Sequence, residues 1–441
     1  MKNAKEVVII GAGAAGLVAA YLCARNGARV TLLEKNTVVG KKLSMTGNGR
    51  ANLTNYEMNE NCYNPAAREL ARSLLTRFGT EQVVALFREL GIPTRSENGY
   101  VYPVSGEAAG VVRALEQAVC RAGVRIVISA QAKRVEIINR DGVFCVVADQ
   151  LGSGLVHFWC DSVILASGGL AGPDSCKATG DGYYMAELLG IPVTPRFPAL
   201  TGLKSPDASL NVKNGIRLHA CVRLLSCGRK ITEETGEVQI TNGILSGIPV
   251  MQLSREVQPL LIQGQEVSIE LDLFPDMTDR EFASLVQERI QLYGFGRVTD
   301  TSEEHADSPM EMTLSDFLLG LAPSEMNALM AARFHLTPDT DTATVETETL
   351  TQLMRGYKNV QFRIKDVCDY KRAQVTAGGI EPQALTQHME SVQRPGFYAI
   401  GEVVDADGRC GGYNLQWAFM TAMAAAQHIT QVKDSWPEGK K

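Results

Sequence analysis

The 441-residue sequence predicts an α/β fold laid out in two separated pieces, with a β-rich and then helical insertion between them. Three observations carry this expectation. A buried strand running straight into a glycine-rich turn and a helix opens the chain, a similar strand ends in a glycine pair at Gly168-Gly169, and a third strand ends in Gly401-Glu402 near the carboxyl terminus.

The opening unit comes first. Val7, Val8, Ile9 and Ile10 form a continuous apolar run, as a strand buried on both faces requires. Gly11-Ala12-Gly13-Ala14-Ala15-Gly16 follows, then a helix over 17–26, a Gly27 stop and a second strand over 28–33. This is a dinucleotide fingerprint with its required context: the first glycine makes the tight turn, the second admits a pyrophosphate, and the third lets helix and strand pack closely. The phosphate charge then sits at a helix N-terminus. Glu34, about twenty residues on, stands where an acid binds ribose hydroxyls, which favours an unphosphorylated ribose. Lys2 and Lys5 before an alanine-rich stretch also suggest a secretory leader. Glycines at fingerprint spacing, leading directly into a strand, argue against that.

Composition sets the bounds. About three domains are expected at this length, and 45% apolar with 21% charged residues is ordinary for a globular protein. No apolar run approaches the roughly eighteen residues that span a bilayer, so a soluble protein without a membrane partner is expected. A net charge of −6 argues against a general nucleic-acid binder, although Lys41-Lys42 and Lys371-Arg372 suit a small anion. Ten cysteines without CxxC or zinc spacing read as reduced core residues of a cytoplasmic protein. They also exclude a disulfide-reductase type of site, and no metal site is expected.

Beyond the second strand, Gly40 to Asn55 (GKKLSMTGNGRANLTN) is dense in Gly, Asn, Ser and Thr and has no helical or strand period. It reads as a backbone-rich loop laid along a cofactor, with Asn48, Arg50 and Asn52 supplying polar groups. Amphipathic helices are expected over 65–78 and 80–90, a strand at Gly99 to Pro103 with Tyr100 and Tyr102 on one face, and a helix over 107–122. A small β-meander is expected from 124–138, 142–148 and 155–160, with turns at Arg140-Asp141-Gly142 and Gly152-Ser153-Gly154. Ser162 to Ala166 returns as a buried strand ending in Ser167-Gly168-Gly169, a second cofactor contact at a strand's carboxyl end, and Gly180-Asp181-Gly182 opens a further helix. Pro192, Pro195 and Pro198 mark a boundary.

The insertion is expected to be β-rich over 199–272, with strands near 217–226, 238–241 and 266–271. A helical pattern follows from Thr278 to His335, interrupted by a polar loop at 298–312, and then a helix over 345–356 and a strand at 359–364. The corresponding divisions are 1–195, 196–273, 274–340, 341–367 and 368–441. Met251, Phe274, Phe295 and Phe317 read as core rather than cleft lining. Near the end, Gly396 to Asp405 forms a strand with a Gly-acid terminus, and Gly411-Gly412-Tyr413-Asn414 opens an alanine-rich helix to about Ile429 whose N–H groups can stabilise negative charge.

Taken together, GAGAAG, GKKLSMTGNGRANLTN, ASGGLAGPDSCKATGDGY, TAGGI and GEVVDADGRCGGYNLQWA resemble the BaiN/YhiN-like flavoproteins, also labelled NAD(P)/FAD-dependent or aminoacetone-oxidase-like oxidoreductases. The resemblance spans essentially the whole chain. It implies a discontinuous Rossmann-like FAD-binding domain with an inserted β-barrel-like domain that carries a helical subdomain. By position, it places FAD contacts at Gly11, Gly13, Ala14, Ala15, Gly16, Glu34 and Lys35 on the adenosine diphosphate side, with Ala132 near the adenine. Lys42, Thr46, Gly47, Asn48 and Arg50 would lie along the flavin side. Ser167 and Gly168 add the strand-end contact, and Gly401, Glu402, Asn414 and Leu415 would meet the ribityl chain and pyrimidine edge. Two departures stand out: Ala51 replaces the cysteine of the family's GRCNLTN, and Asn242 stands where FTHYGLSGP has histidine.

The activity implied is hydride transfer from flavin N5 to an activated carbon–carbon double bond of a steroid-like or other apolar small molecule. NADH or NADPH would be the transient donor, since no second GxGxxG provides a resident nicotinamide site. Candidate acids or polarising groups are Tyr100, Tyr102, Arg372 and Tyr413. An FAD-dependent amine oxidase using oxygen is the alternative, and a flavin-bearing RNA-modifying or scaffold protein a third reading that the acidic balance disfavours. The insertion would form a lid over the flavin and set specificity.

Overall fold

The computed structural model describes residues 4–138, 143–210, 215–293 and 312–431. The expected turn at Arg140-Asp141-Gly142, residue Phe295 and all but the last residue of the 298–312 loop lie outside these. The chain divides into two compact units, Met1–Ala199 with Tyr370–Lys441, and Leu200–Asp369.

In the first unit, five parallel strands run in the order Phe397–Ala399, Ser162–Leu165, Glu6–Ile10, Arg29–Leu33 and Arg125–Val127. Glu6–Ile10 lies in the middle because Val7 to Ile10 are apolar on both faces and all at most 5% exposed. From there the chain winds first towards Arg125–Val127 and then, after Ser162, towards the other edge. The reversal falls between Glu6–Ile10 and Ser162–Leu165, and ligands of such sheets bind in the crevice at the strands' carboxyl ends at that point. Helix Ala14–Arg25 connects the first two strands, and helix Tyr413–Thr430 packs along it. The first helix begins at Ala14, earlier than expected, because Gly13 in extended conformation is its N-cap.

The expected strand over 124–138 is two strands. Ser129 takes a left-handed φ of +53°, which turns the chain after Val127. Arg125–Val127 therefore joins the parallel sheet, whereas Ala130–Ile137 opens a separate antiparallel sheet with Phe144–Gln150 and Gly154–Cys160. A third small sheet pairs Thr54–Asn55 with Tyr100–Pro103, and that strand with Thr94–Glu97. It fastens the glycine-rich loop to the two tyrosines.

The second unit is a seven-stranded antiparallel sheet ordered Val360–Ile364, Val267–Asp272, Ile216–Ser226, Arg229–Thr241, Ile244–Ser246, Leu203–Lys204, Asp366–Val367. Its two edge strands are separated in the chain by Lys365 alone, so the sheet curls until its edges meet, a barrel-like form. Helix Ile248–Ile262 packs on it and adds to the β-rich reading of 199–272 a helix that the expected strands left out. Its β-branched residues and two prolines misled the pattern, but Pro249 sits in the first turn, where a missing N–H costs nothing. The helical piece comprises Asp279–Tyr293, Leu314–Leu318, Ser324–Arg333 and Thr347–Arg355, and Phe282, Phe317, Met326 and Leu350 bury themselves in one core with the sheet. Asn242 and Gly243, at φ +50° and +75°, form the two-residue turn between Arg229–Thr241 and Ile244–Ser246. Both central residues of such a hairpin need positive φ, so Asn242 serves the turn. None of the ten cysteines forms a disulfide, and among the described residues no helix is long and apolar enough to cross a membrane.

Candidate cofactor-binding site

The crevice forms where the parallel strands end. Gly11 has a φ of +103°, and a side chain there would strike the Ala166 carbonyl. One at Gly16 would strike the Gly11 carbonyl, whereas Gly13 faces open space. The three glycines therefore divide into two that close protein against protein and one that leaves room. No side chain caps the helix that starts at Ala14, so its first N–H groups face the space beside Gly13, with half-buried Ala14 and buried Ala15 forming its first turn.

Glu34, 8% exposed, accepts hydrogen bonds from the Ala12 N–H (2.9 Å) through Oε2 and from the Asn36 N–H (2.8 Å) and Nδ2 (2.9 Å) through Oε1. Three of the roughly four acceptor positions of a carboxylate are thus filled by the chain, and one on Oε2 remains for a ribose hydroxyl. The buried Asn36 Oδ1 has no hydrogen-bond partner. Lys35 donates to Thr179 Oγ1 (2.9 Å), Thr179 donates to Asp181 (2.7 Å), and Gln131 donates to the same carboxylate (2.6 Å). Burial pushes the Lys35 ammonium below its usual pKa. Ala132, adjacent to Gln131, is 6% exposed.

At its middle, three distant segments meet at Glu402. Oε2 accepts from Lys42 Nζ at 2.6 Å and Oε1 from the Thr376 N–H at 3.0 Å. Thr376 Oγ1 in turn accepts from the Leu170 and Ala171 N–H groups at 2.7 and 3.0 Å. Gly169 is required here, since a side chain would come within 2.6 Å of Glu402 Oε1. Ser167 and Gly168 are half-buried at the neighbouring strand end, with Gly168 at φ +72°. Gly401, at φ +70°, lies against Ala15; its N–H donates to Thr421 Oγ1 (3.1 Å) and its carbonyl accepts from Trp417 Nε1 (3.1 Å).

The other end is built by the glycine-rich loop. Gly47, Asn48, Gly49 and Ala51 all have positive φ, and Thr46 Oγ1 anchors the turn by donating to the Leu43 carbonyl (2.8 Å). Gly47 and Asn48 are exposed at its tip. Arg50 lies over the Tyr102 ring, 4.3 Å from its centroid, and pairs with Glu97 at 3.2 Å. The segment then grips the start of helix Tyr413–Thr430. Asn52, its amide oriented by the surrounding network, accepts from the Gly412 N–H (3.3 Å), and Asn55 donates to the Gly411 carbonyl (3.0 Å). Thr54 donates to Gln416 Oε1 (2.6 Å), and Gln416 donates to the Phe78 carbonyl (2.7 Å). Asn52 was singled out in the sequence, but Thr54, Asn55, Gln416 and Thr376 were not. Their one signal was membership of Gly- and Asn-dense stretches.

Of the residues expected at the pyrimidine edge, Leu415 is half-buried. Asn414 turns back on its own loop, accepting from the Gly408 N–H (2.8 Å) and donating to the Gly408 (3.0 Å) and Arg409 (3.3 Å) carbonyls. It braces the approach to Gly411-Gly412. Of the four catalytic candidates, Tyr100 and Tyr413 both border Gly411. Tyr413 is 7% exposed, its hydroxyl donates to the Glu57 carbonyl (3.2 Å), and burial pushes its pKa up to about 12. The Tyr100 ring closes on Gly411, where a side chain would come within 2.6 Å of Cε1. Tyr102 is covered by Arg50, and Arg372 is exposed.

These residues fit FAD. The open side of Gly13 beside an uncapped helix start suits a pyrophosphate, Glu34 retains an acceptor for ribose, and helix Tyr413–Thr430, also without a side-chain cap, presents N–H groups behind Gly411 and Gly412 to an electron-rich ring edge. Among the described residues no cluster of His, Cys, Asp and Glu suits a metal ion.

Comparison with known proteins agrees with this geometry. Residues 5–428 match the family described as HI0933-like protein Rossmann domain. The chain is 34% identical to a 3-dehydro-bile acid delta(4,6)-reductase of Clostridium scindens over 96% of this chain and 98% of that protein. It is 30% identical to a ribosomal RNA dihydrouridine synthase of Haemophilus influenzae, over 98% of this chain and 100% of the relative. Among solved structures, a 3-ketosteroid delta1-dehydrogenase from Sterolibacterium denitrificans shares the fold at a TM-score of 0.52 and 12% identity, covering 98% of this chain and 100% of that one.

Proposed function

The chain belongs to the HI0933-like protein Rossmann domain family, and from that premise we propose that it is an FAD-dependent reductase of carbon–carbon double bonds conjugated to a carbonyl, acting on an apolar, steroid-like small molecule. The observation that carries the reading is the convergence, at the strand ends of one unit, of an open fingerprint glycine, a ribose-binding acid and a second uncapped helix N-terminus. The relatives named above supply the reaction class: one is named as a reductase of a bile-acid double bond, and dihydrouridine differs from uridine by two hydrogens across one carbon–carbon bond.

Bound there, FAD would supply hydride at N5 to the β-carbon of the acceptor after reduction by NADH or NADPH. The chain's own contribution is positioning and charge. The Tyr413–Thr430 helix start, held by Asn52 and Asn55, offers N–H groups to negative charge on the pyrimidine edge. Tyr413 keeps its proton at neutral pH, but its hydroxyl is committed to the Glu57 carbonyl, which makes it a support. Tyr100 makes no hydrogen bond to a described residue through its hydroxyl and borders Gly411, so we assign it the proton donated to the α-carbon. Tyr102, under Arg50, and Arg372, in solvent, are the weaker candidates. The ten cysteines, none in a disulfide, suit a reducing, cytoplasmic setting.

A second reading, favoured by the names of the Haemophilus influenzae relative and of a 28% identical Escherichia coli protein, puts a uracil ring of RNA in the place of the steroid. The net charge of −6 weighs against a broad RNA-binding face but not against one base in a cleft. Anaerobic stopped-flow mixing separates the possibilities. Bleaching of the yellow protein by NADH or NADPH, and reoxidation by a 4-en-3-one steroid faster than by air, is the expected result. Reoxidation by unmodified ribosomal RNA instead selects the second reading. Bleaching by an amine followed by rapid peroxide formation would replace both with an oxidase, and a colourless protein that binds no FAD would end the proposal.

A further inference from the structure

Lys42 and Glu402 come from opposite ends of the chain, and their 2.6 Å ion pair sits among the strand ends of the crevice. Both are partly buried, with side chains 33% and 21% exposed, so water screens them less than a surface pair. The Lys42 stem runs past Gly172, which has a φ of +133°. The position a Cβ would take there lies 4.0 Å from Lys42 Cδ and 3.6 Å from Cys176 Sγ. Glu402 is held from its other side by the Thr376 N–H, so its carboxylate cannot swing away from Lys42 without losing that bond.

The charges around this point are unequal in their pairing. Glu34 is held by neutral N–H donors only, and the Lys35 ammonium is directed at Thr179 and Asp181. Lys42, by contrast, is bonded directly to the Glu402 carboxylate. A dinucleotide diphosphate brings about two further negative charges to the same strand ends.

We infer that Lys42 is a positioning residue whose charge neutralises Glu402, and that this neutralisation is what lets the crevice accept an anionic dinucleotide next to two carboxylates. Lys42 acts through Glu402 rather than as a direct phosphate ligand. The inference rests on the FAD reading of the crevice, and its test distinguishes the two. Apoprotein is titrated with FAD, following quenching of flavin fluorescence, at low and high salt. Lys42→Met raises the Kd about 30-fold, equivalent to about 2 kcal/mol, and added salt recovers part of the loss because it screens a repulsion. Lys42→Arg stays within about threefold of the unsubstituted protein, which also shows that the fold tolerates the site. Glu402→Gln placed in the Lys42→Met chain restores affinity by about tenfold.

Lys42→Met with unchanged affinity overturns the inference. So does a Lys42→Met loss that Glu402→Gln does not relieve, which would make Lys42 a direct ligand. Failure of the unsubstituted apoprotein to bind FAD would instead remove the functional reading on which the inference stands.

Discussion

Replacing Gln416 by leucine tests how the glycine-rich loop is tied to the helix at the far end of the chain. Gln416 is fully buried, and its amide joins the Thr54 hydroxyl to the Phe78 carbonyl. Leucine fills the same space but leaves both partners unsatisfied, at about 1–3 kcal/mol for each buried group. The Thr54 hydroxyl retains a long contact of 3.4 Å with Thr80, which puts it at the lower end, and the added apolar burial offsets about 1 kcal/mol. A net loss of about 2 kcal/mol follows. Thr54→Val in the same chain removes one unsatisfied group, so the double variant recovers about 1 kcal/mol over Gln416→Leu instead of losing more. Equilibrium urea unfolding followed by Trp417, 1% exposed in this unit, with Trp159 and Trp436 replaced by phenylalanine, reads the first unit. With a slope of about 2 kcal/mol/M the midpoint falls by about 1 M and returns by about half of that. A Gln416→Leu protein within about 0.5 kcal/mol of its parent, or a double variant as unstable as the sum of the singles, would show that the network does not hold the two ends together.

Three further outcomes follow from the geometry. Gly13→Asp leaves the apoprotein folded, and stabilises it by about a few tenths of a kcal/mol as a helix N-cap, while abolishing FAD retention by placing a carboxylate at the diphosphate position; Gly16→Ala collapses the turn onto the Gly11 carbonyl, seen as loss of soluble protein or of cooperative melting. Asn242→Gly changes neither melting temperature nor turnover, whereas Asn242→Val lowers stability by about 1–2 kcal/mol through its left-handed φ, and a turnover loss in the glycine variant would instead give Asn242 a chemical role. His388, stacked on His428 at 4.4 Å with Arg77 and Glu390 also acting on it, has its pKa lowered below 6.5 by burial first and by His428 next. The unfolded chain therefore takes up the proton first as pH falls: the contribution is complete above about pH 6.5 and is lost as pH drops through the lower folded value. His388→Gln should lose less stability than the parent between pH 7 and pH 5, measured by urea midpoints, and equal slopes would refute the assignment.

Much of the first unit was legible because its rules are local. Gly11 and Gly16 are required by what a side chain would strike within a few residues or on the adjacent parallel strand, and apolar runs such as Val7 to Ile10 announce a strand covered on both faces. Asn242-Gly243 was legible in principle as a hairpin turn, but the family pattern drew attention to histidine chemistry and away from φ. Helix Ile248–Ile262 was missed because Pro259 and its β-branched residues weaken the helical signal, and packing on the curled sheet favours the helix.

What no local pattern could supply is which distant groups meet. Glu402 reads as a ribityl ligand beside its glycine, yet its carboxylate is shared between Lys42 and the Thr376 N–H. Asn414 reads as a flavin ligand at a helix start, yet it closes on Gly408. The amino-acid order alone was enough for the buried parallel strands Glu6–Ile10 and Ser162–Leu165, the fingerprint turn and the class of ligand, since backbone sterics and burial act over a few residues. Folding alone settled the partners of such polar side chains, because a buried carboxylate or amide takes whichever donors the folded chain brings within about 3 Å, and these range from Gly408, six residues from Asn414, to Lys42, 360 residues from Glu402.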